Sequence, residues 1–285
     1  MKKSISVIVL CILMYSCSSV PFVGRSQLSL ISHQEVLTLS LQQYGEYISS
    51  ATLSEDAAKT ALVTRVGKNI ADAVTAYYVA NGMESLLSDF AWEFRLVADK
   101  QVNAFCMPGG KIVIYEGILP YTQNEAGLAV VIGHEVAHAI AKHANERISQ
   151  QMAIQLGAAT VGSLLSKSSE TVQSIGDLVF GLGTQYGLML PYSRKNEYEA
   201  DYIGIILMAM AGYDPGSAVS FWERMSEEGS STLEFMNTHP SDEKRIKEIK
   251  KRLPEAMQYY TGTKNNNTPS KSMPKNYTTS EKWRF

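Results

Sequence analysis

The chain has 285 residues, of which 26 are Lys or Arg and 28 are Asp or Glu, so its formal net charge is −2. This length suffices for one sizeable hydrophobic core with short appendages. The near-neutral balance, with no basic patch in the central region, argues against a nucleic-acid partner. No internal repeat is visible, so we expect no helical repeat array after the core region.

Residues 1–16 predict an export signal. Two lysines near the start precede an apolar run over Ile5–Tyr15, which is the order of a signal peptide. The run ends in Leu13-Met-Tyr-Ser-Cys17, which is similar to a relaxed bacterial lipobox. We therefore expect Cys17 to carry lipid after cleavage, with an ordinary cleaved signal as the alternative. The serine after the cysteine favours, by analogy with enteric bacteria, an outer-membrane lipoprotein that faces the periplasm.

Residues 17–35 are then expected to form a tether, and residues 36–260 a single globular domain. Residues 261–285 are rich in Asn, Thr, Ser, Pro and Lys, a composition typical of disordered tails. After Cys17 the mature chain keeps only Cys106. It therefore forms no internal disulfide if Cys17 is acylated.

The globular domain is predicted to be mostly helical with a small sheet. We expect helices over Gln34–Ser50 and Ala57–Asn81, strands near residues 93–102 and over Lys111–Tyr115, and later helices over Ala218–Glu228 and Ser241–Arg252. Two apolar stretches, Met152–Leu165 and Leu178–Leu190, are each shorter than the roughly 20 residues that span a bilayer. We interpret them as core helices, with a monotopic membrane contact as the alternative.

The stretch from Thr122 to about Met152 lacks proline and predicts one long helix. Thr122 and Glu125 fit a capping box at its start. A broad apolar stripe indicates that its middle is buried. The stripe consists of Leu128, Val131, Ile132, Val136, Ala139 and Ile140.

The buried middle of this helix carries His134-Glu-Val-Ala-His138. Residues four apart share a helical face, so His134 and His138 can aim two imidazoles at one metal ion. Glu135 lies beside them, in the place of a base that acts on metal-bound water. The alternative, a core helix with two incidental histidines, leaves that carboxylate buried without a partner at a cost in free energy. The motif predicts one Zn²⁺ per chain and zinc-assisted hydrolysis, most often of a peptide bond.

A catalytic zinc ion usually takes three protein ligands and a water molecule. His143, five residues after His138, points away from the site if the helix continues, so we interpret it as solvated. Glu197 and Asp201 share one face of a second predicted helix, whereas Glu199 points elsewhere. Glu197 is the candidate third ligand, and Asp201 can accept the free ring N–H of a ligand histidine. A solvated acidic helix start is the alternative, but the apolar residues that follow favour burial.

Together these motifs resemble the gluzincin metallopeptidases related to HtpX and the CAAX prenyl endopeptidase. The likeness is strongest to the periplasmic lipoprotein branch that includes BepA and LoiP, and to the mitochondrial Oma-type peptidase. It extends from about Val23 to Leu253 and includes further motifs at Asn103–Gly110, Ile112–Gly117, Ala211–Pro215 and Thr238–Ser241 with Arg245.

The resemblance implies a role for each matched residue of the two metal motifs. It makes His134, His138 and Glu197 the zinc ligands. Glu135 matches the general base, and Asp201 matches a residue that supports a ligand from behind.

His239 and Arg245 are assigned by the resemblance alone. It implies that His239 lies near the metal, where it stabilises the oxyanion or caps the zinc in a resting state. It implies that Arg245 is a basic residue of the same region. The residues themselves indicate only that Pro240 disfavours helix at His239, which predicts a loop position.

A protease that binds extended substrate needs an edge strand whose backbone pairs with the peptide. The β-branched segment that contains Lys111, Ile112 and Val113 follows a Pro-Gly-Gly turn and is the candidate. A plain hairpin strand is the alternative. Asn103 either holds the turn or donates to the substrate backbone.

We therefore expect an α+β, mostly helical, zincin-like metallopeptidase domain with a small sheet. By resemblance, its function is that of a zinc metalloendopeptidase of the bacterial cell envelope that acts on unfolded or misassembled envelope proteins. The rival hypothesis is a chaperone-like assembly factor with a latent or regulatory zinc site. Beyond protein substrates and zinc, the expected contact is with the membrane, through lipid on Cys17, and none is expected with nucleic acid.

Overall fold

The computed structural model describes residues 17–158, 193–227, 234–239, 243–260 and Gly262. The strands in these ranges are β1 (Cys17–Ser19), β2 (Ser26–Leu28), β3 (Glu93–Val97), β4 (Ala104–Met107) and β5 (Lys111–Tyr115). The α-helices are α1 (His33–Ser50), α2 (Ala57–Ala80), α3 (Leu119–Thr122), α4 (Glu125–Ile140), α5 (His143–Ala158), α6 (Arg194–Met210), α7 (Ser217–Glu227), α8 (Glu234–Thr238) and α9 (Glu243–Ala256). Short 3₁₀ turns lie at Glu84–Asp89, Glu116–Ile118 and Met257–Tyr259. The expected α+β class, mostly helical with a small sheet, is confirmed.

The main sheet has the strand order β3-β5-β4. β3 pairs with β5 in parallel, from Glu93 opposite Lys111 to Val97 opposite Tyr115. β4 pairs with the other side of β5 in antiparallel register. The prediction that Lys111–Tyr115 is an edge strand is therefore wrong. Its continuous run of buried apolar side chains is typical of a central strand covered on both faces.

Helix α4 is buried along nearly its whole length and packs most closely against α6. A Cβ atom added at Gly204 would lie 3.0 Å from the backbone N of His134 and 3.1 Å from the carbonyl carbon of Gly133. The two helix backbones therefore touch at this pair of glycines. This contact fixes how far the histidines of α4 lie from the acidic first turn of α6.

The start of α4 differs from the predicted capping box. Asn124 is the N-cap, and its side-chain oxygen accepts a hydrogen bond of 2.9 Å from the backbone N–H of Gly127. The Thr122 hydroxyl instead donates to the carbonyl of Leu119 at 2.8 Å. The backbone of Gln123 has a φ of 61°, which separates the short helix α3 from α4.

The predicted continuous helix from Thr122 to Met152 is interrupted. Helix α4 ends at Ile140, and Lys142 adopts a φ of 54° in the left-handed region. Its ammonium lies 3.1 Å from Asp89, which ties the turn to a neighbouring segment. Helix α5 then begins in a new direction at His143.

Part of the segment predicted as a tether, from Val20 to Leu28, instead contributes to the hydrophobic core. Val20, Phe22 and Val23 are buried in the main hydrophobic cluster. The ring of Phe22 stacks on Tyr77 of α2 with centroids 3.5 Å apart, and its backbone N–H donates to the Tyr77 hydroxyl at 3.0 Å. The apolar residues around Pro21 in the sequence indicate this burial, which the prediction overlooked.

The remaining predicted elements are present with some changes of bounds, or lie outside the described residues. The strand predicted near residues 93–102 ends at Val97, and the helix predicted over Ser241–Arg252 continues to Ala256. The helices near Gln34–Ser50, Ala57–Asn81 and Ala218–Glu228 are present within one residue at each end. The export signal, most of the two apolar stretches between the metal motifs and nearly all of the C-terminal tail are outside the described ranges. In the part of the chain that the structure describes, no helix has both the length and the apolar character to cross a membrane.

We expect Gly204→Ala to lower the free energy of unfolding by about 1–3 kcal/mol, because its methyl group would force α4 and α6 apart. Urea denaturation measures this change. Gly45→Ala is the matched control, since an added Cβ in α1 meets open space. It should stabilise the protein by about 0.5–1 kcal/mol. Equal stability of Gly204→Ala and the wild type would contradict the close helix contact.

Candidate metal centre and active site

Four buried side chains converge on one point: His134, His138, Glu197 and His239. Each offers one ligand atom, and these atoms all lie within 4.8 Å of one another. The Nε2 atoms of His134 and His138 are 3.0 Å apart. The carboxylate of Glu197 lies 3.3 Å from the first and 3.4 Å from the second. Local helix geometry explains this arrangement, since α4 presents both histidines on the face that meets the first turn of α6.

His239 completes the cluster. Its Nδ1 atom lies 3.2 Å from His134 Nε2 and 3.2 Å from Glu197 Oε1. The residue follows α8 directly, and its backbone N–H donates to the Phe235 carbonyl at 2.8 Å. It is therefore held at a helix end and buried among the other three side chains.

The donor set fits zinc. Tetrahedral ligands at the usual Zn–N and Zn–O distances of about 2.0–2.2 Å lie about 3.3–3.6 Å from one another. Five of the six pairs among the four side chains are 3.0–3.4 Å apart, close to that spacing, and the ligand atoms of the sixth pair, His138 and His239, lie within 4.8 Å. Imidazole and carboxylate are also ligands that zinc accepts. The four residues can therefore hold one zinc ion without a change of backbone.

Glu135 lies beside the cluster with one carboxylate oxygen unsatisfied. Among the described residues, its Oε1 atom is buried without a hydrogen-bond partner and lies 3.3 Å from His239 Nε2. The backbone N–H of Cys106 donates to the same carboxylate. Burial raises the pKa of Glu135 to about 7, against the opposing influence of His239. A buried carboxyl group with a free oxygen and a raised pKa is suited to exchanging a proton near neutral pH.

Asp201 and Arg245 lie behind His134. The His134 Nδ1–H group donates to Asp201 at 3.0 Å. The guanidinium of Arg245 binds both oxygens of Asp201 and lies 3.0 Å from Glu197. It also stacks on the ring of Trp222 at 3.5 Å. Burial raises the pKa of Glu197, but His239 and Arg245 together hold it well below its ordinary value.

The interpretation of His143 as a solvated residue is wrong. Its side chain is fully buried, and its Nδ1 atom lies 2.9 Å from Nδ1 of His138. The break at Lys142 is the physical reason, because His143 begins a separate helix and no longer has the orientation that a continuous helix would give it. Glu199 points away from the metal ligands as expected, yet it is also buried, and it accepts a hydrogen bond of 3.1 Å from His143 Nε2.

Strand β4 contacts Glu135 through the backbone N–H of Cys106. In the described sheet, β4 has β5 as its single partner. Tyr115 N–H donates to the Asn103 carbonyl, so alternation along the ladder turns the backbone groups of Ala104 and Cys106 away from β5. The Asn103 side chain accepts from Ala104 N–H at 2.9 Å. This contact fixes the Asn103 side chain at the start of the strand.

The site contains residues that the sequence reasoning missed. No sequence motif identifies Trp222 or Arg25, and none indicates the buried position of His143. Arg25 lies in the segment predicted as a tether, yet only 4% of it is exposed. An arginine among buried apolar residues was the available signal.

Comparison with known proteins assigns the chain to a family. Residues 63–253, more than half of the chain, match the family model described as Peptidase family M48. The mitochondrial metalloendopeptidase OMA1 of Schizosaccharomyces pombe is 41% identical over 190 residues, which cover 64% of this chain and 54% of that protein. OMA1 of Saccharomyces cerevisiae is 36% identical over 185 residues, or 62% of this chain and 51% of that protein.

A bacterial relative shares a longer stretch at lower identity. The beta-barrel assembly-enhancing protease of Escherichia coli K12 is 27% identical over 243 residues, which cover 83% of this chain and 47% of that protein. The chain thus spans about half the length of these relatives.

We expect Arg245→Met to lower the free energy of unfolding by about 3–5 kcal/mol, because it leaves Asp201 and Glu197 buried with less compensating charge. Urea denaturation with zinc in the buffer measures the loss. Arg65→Met is the control, since Arg65 pairs with Glu125 on the surface, and its stability should change little. A mild effect of Arg245→Met, equal to that of the control, would contradict this role.

Proposed function

The chain belongs to peptidase family M48, and we propose that it is a zinc metalloendopeptidase of the bacterial cell envelope that degrades misfolded or misassembled envelope proteins. The observation that carries the proposal is the cluster of four buried ligand atoms within 4.8 Å of one another, beside the buried carboxylate of Glu135. In this proposal His134, His138 and Glu197 hold the zinc ion. The single such cluster among the described residues supports one zinc ion per chain.

The chemistry follows from the residues around the cluster. When bound, zinc lowers the pKa of a coordinated water molecule and polarises the scissile carbonyl. Glu135 takes the proton from the attacking water and passes it to the leaving amine. Asp201 keeps the proton of His134 on Nδ1, so that Nε2 is free as a ligand. Arg245 balances the charge of the two neighbouring carboxylates.

His239 could give the site a resting form. A catalytic zinc ion needs an open position for water, and His239, whose Nδ1 atom lies 3.2 Å from both His134 Nε2 and Glu197 Oε1, would be a fourth protein ligand at that position. We infer that His239 caps the zinc at rest and moves aside when substrate binds. Its position directly after the five-residue helix α8 makes it the ligand with the least extensive anchoring among the described elements.

Substrate would add to the free edge of β4 rather than to β5. The outward carbonyls of Ala104 and Cys106 can pair with an extended peptide as an additional strand. Their N–H groups can do so in place of their bonds to Asn103 and Glu135. Pairing with Cys106 N–H competes with its bond to Glu135. Substrate would therefore release the carboxylate for its role as the base.

The cellular location rests on the N-terminal sequence. The lipobox-like stretch that ends at Cys17 supports a lipid anchor. A relative named as a beta-barrel assembly-enhancing protease supports the bacterial envelope and its proteins as the setting. Other relatives are named as mitochondrial enzymes, so the proposal for this chain depends on its own signal and not on the family.

A second candidate function is a chaperone-like assembly factor with a latent or regulatory zinc site. The four-residue ligand cluster favours it, because a zinc ion with four protein ligands resembles a structural site. The unsatisfied oxygen of Glu135 favours the enzyme instead.

We expect Glu135→Gln to keep its zinc and to lose cleavage of unfolded casein by a factor of about 10²–10⁴, because the base is removed while the ligands remain. Zinc content and casein cleavage are measured on the purified mature chain, with the wild type in parallel. Any chaperone-like activity should survive the substitution.

The other outcomes separate the two functions. Absence of zinc from both proteins would overturn the metal site. Zinc in both without cleavage in either would favour the latent or chaperone-like function. His239→Ala then distinguishes these two, since removal of the cap should permit cleavage only in a latent protease.

We expect Cys17→Ser to abolish incorporation of labelled palmitate and to release the protein from the outer-membrane fraction of cells. The lipid would be attached to this thiol, and Cys106, the other cysteine after the signal, is buried. Cys106→Ser is the control and should keep both label and location. Unchanged labelling of Cys17→Ser would contradict the lipid anchor.

A further inference from the structure

A chain of buried polar contacts leads from the metal cluster to the N-terminal segment. His138 Nδ1 lies 2.9 Å from His143 Nδ1, and His143 Nε2 lies 3.1 Å from Glu199 Oε2. Arg25 binds both oxygens of Glu199 through Nε and Nη2. All four side chains are buried. None of the contacts beyond His138 belongs to the ligand set or to the base.

The positions of the protons follow from the role of His138. A ligand that binds through Nε2 carries its proton on Nδ1, so His138 donates to His143. His143 then accepts through Nδ1 and carries its own proton on Nε2, from which it donates to Glu199. A single orientation of hydrogen bonds therefore satisfies every ring nitrogen between the metal position and the carboxylate.

The other ligand histidine has a parallel arrangement without the extra ring. His134 donates directly to Asp201, which is bound by Arg245. Each of the two metal-site histidines of α4 is thus connected to a carboxylate that an arginine binds. His134 is connected directly, whereas His138 is connected to its carboxylate, Glu199, through the ring of His143.

Arg25, which binds Glu199, also binds a second acidic residue. Its Nη1 and Nη2 atoms donate to Glu146 at 2.8 Å and 2.6 Å. Asn196 also donates to Glu146 at 2.9 Å. Both oxygens of Glu199 accept hydrogen bonds from the Arg25 guanidinium, and one of them also accepts from His143. The group that His143 faces is therefore a carboxylate paired with a buried arginine.

We propose that His143 and Glu199 are positioning residues for the ligand His138, with Glu199 held in place by Arg25 of the N-terminal segment between β1 and β2. The inference rests on the metal site of the proposed function. A hydrogen-bonded partner fixes the ring of a ligand histidine and makes its metal-binding nitrogen a stronger electron-pair donor. His143 and Glu199 would have this effect on Nε2 of His138. Loss of such partners typically costs about 10- to 100-fold in metal affinity.

The test compares two substitutions on the same arginine. Glu199→Gln removes the charge that His143 faces, whereas Glu146→Gln removes the other carboxylate that Arg25 binds. Both weaken the anchoring of Arg25, but only the first alters the support of His138. Zinc dissociation constants are measured by competition with a chromophoric chelator, at a temperature where circular dichroism shows each variant folded.

We expect Glu199→Gln to bind zinc about 10- to 100-fold more weakly than the wild type, with Glu146→Gln within threefold of it. The visible spectrum of the Co²⁺-substituted protein should shift for Glu199→Gln and remain unchanged for Glu146→Gln. A purely structural role would lower the stability of both variants and leave both spectra alike.

His143 provides the second measurement. His143→Phe keeps a buried ring but removes both nitrogens, so zinc affinity should fall at least as far as in Glu199→Gln. His143→Gln retains an acceptor and a donor and should recover part of the affinity. Equal zinc affinity in the wild type, Glu199→Gln and His143→Phe would overturn the inference while the proposed function stands. Failure of the wild type to bind zinc would overturn the proposed function itself.

Discussion

The contact between α4 and α6 at Gly133 and Gly204 is the constraint on which the site depends. Only residues without side chains allow the backbones to approach so closely. At this separation the first turn of α6 reaches the histidine face of α4, and Glu197 lies 3.3–3.4 Å from both Nε2 atoms. A wider spacing would leave two separate motifs, each with the correct residues and neither with a complete ligand set.

The same close packing creates an electrostatic problem. The first turns of α6 carry Glu197, Glu199 and Asp201 into the interior, where unpaired charge is costly. Because Glu199 lies on the opposite face from the other two, one cation cannot neutralise all three. Arg245 from α9 serves one face, and Arg25 from the N-terminal segment serves the other. Segments from near both ends of the described chain therefore pack against α6, and each supplies an arginine to its buried carboxylates.

The local part of this arrangement could be predicted from the sequence. The spacing of His134 and His138, and of Glu197 and Asp201, follows from helical periodicity, and the structure brings both pairs together. The break at Lys142 could not be predicted, because neither glycine nor proline marks it and the turn depends on Asp89. The order of the sheet was equally hidden, since the placement of β3 beside β5 is a nonlocal choice. Each error therefore concerns a contact between distant segments.

These nonlocal contacts determine how firmly the two ligand histidines of α4 are held. If α4 continued as one helix with His143 in solvent, only His134 would have a partner behind it, namely Asp201. With the break, the first residue of α5 places a third ring behind His138, so that both ligand rings are held from behind. The support of His138 then ends in a segment that lies directly after Cys17. If that residue carries the lipid, as we propose, the segment that attaches the protein to the membrane is also the one that braces its metal site.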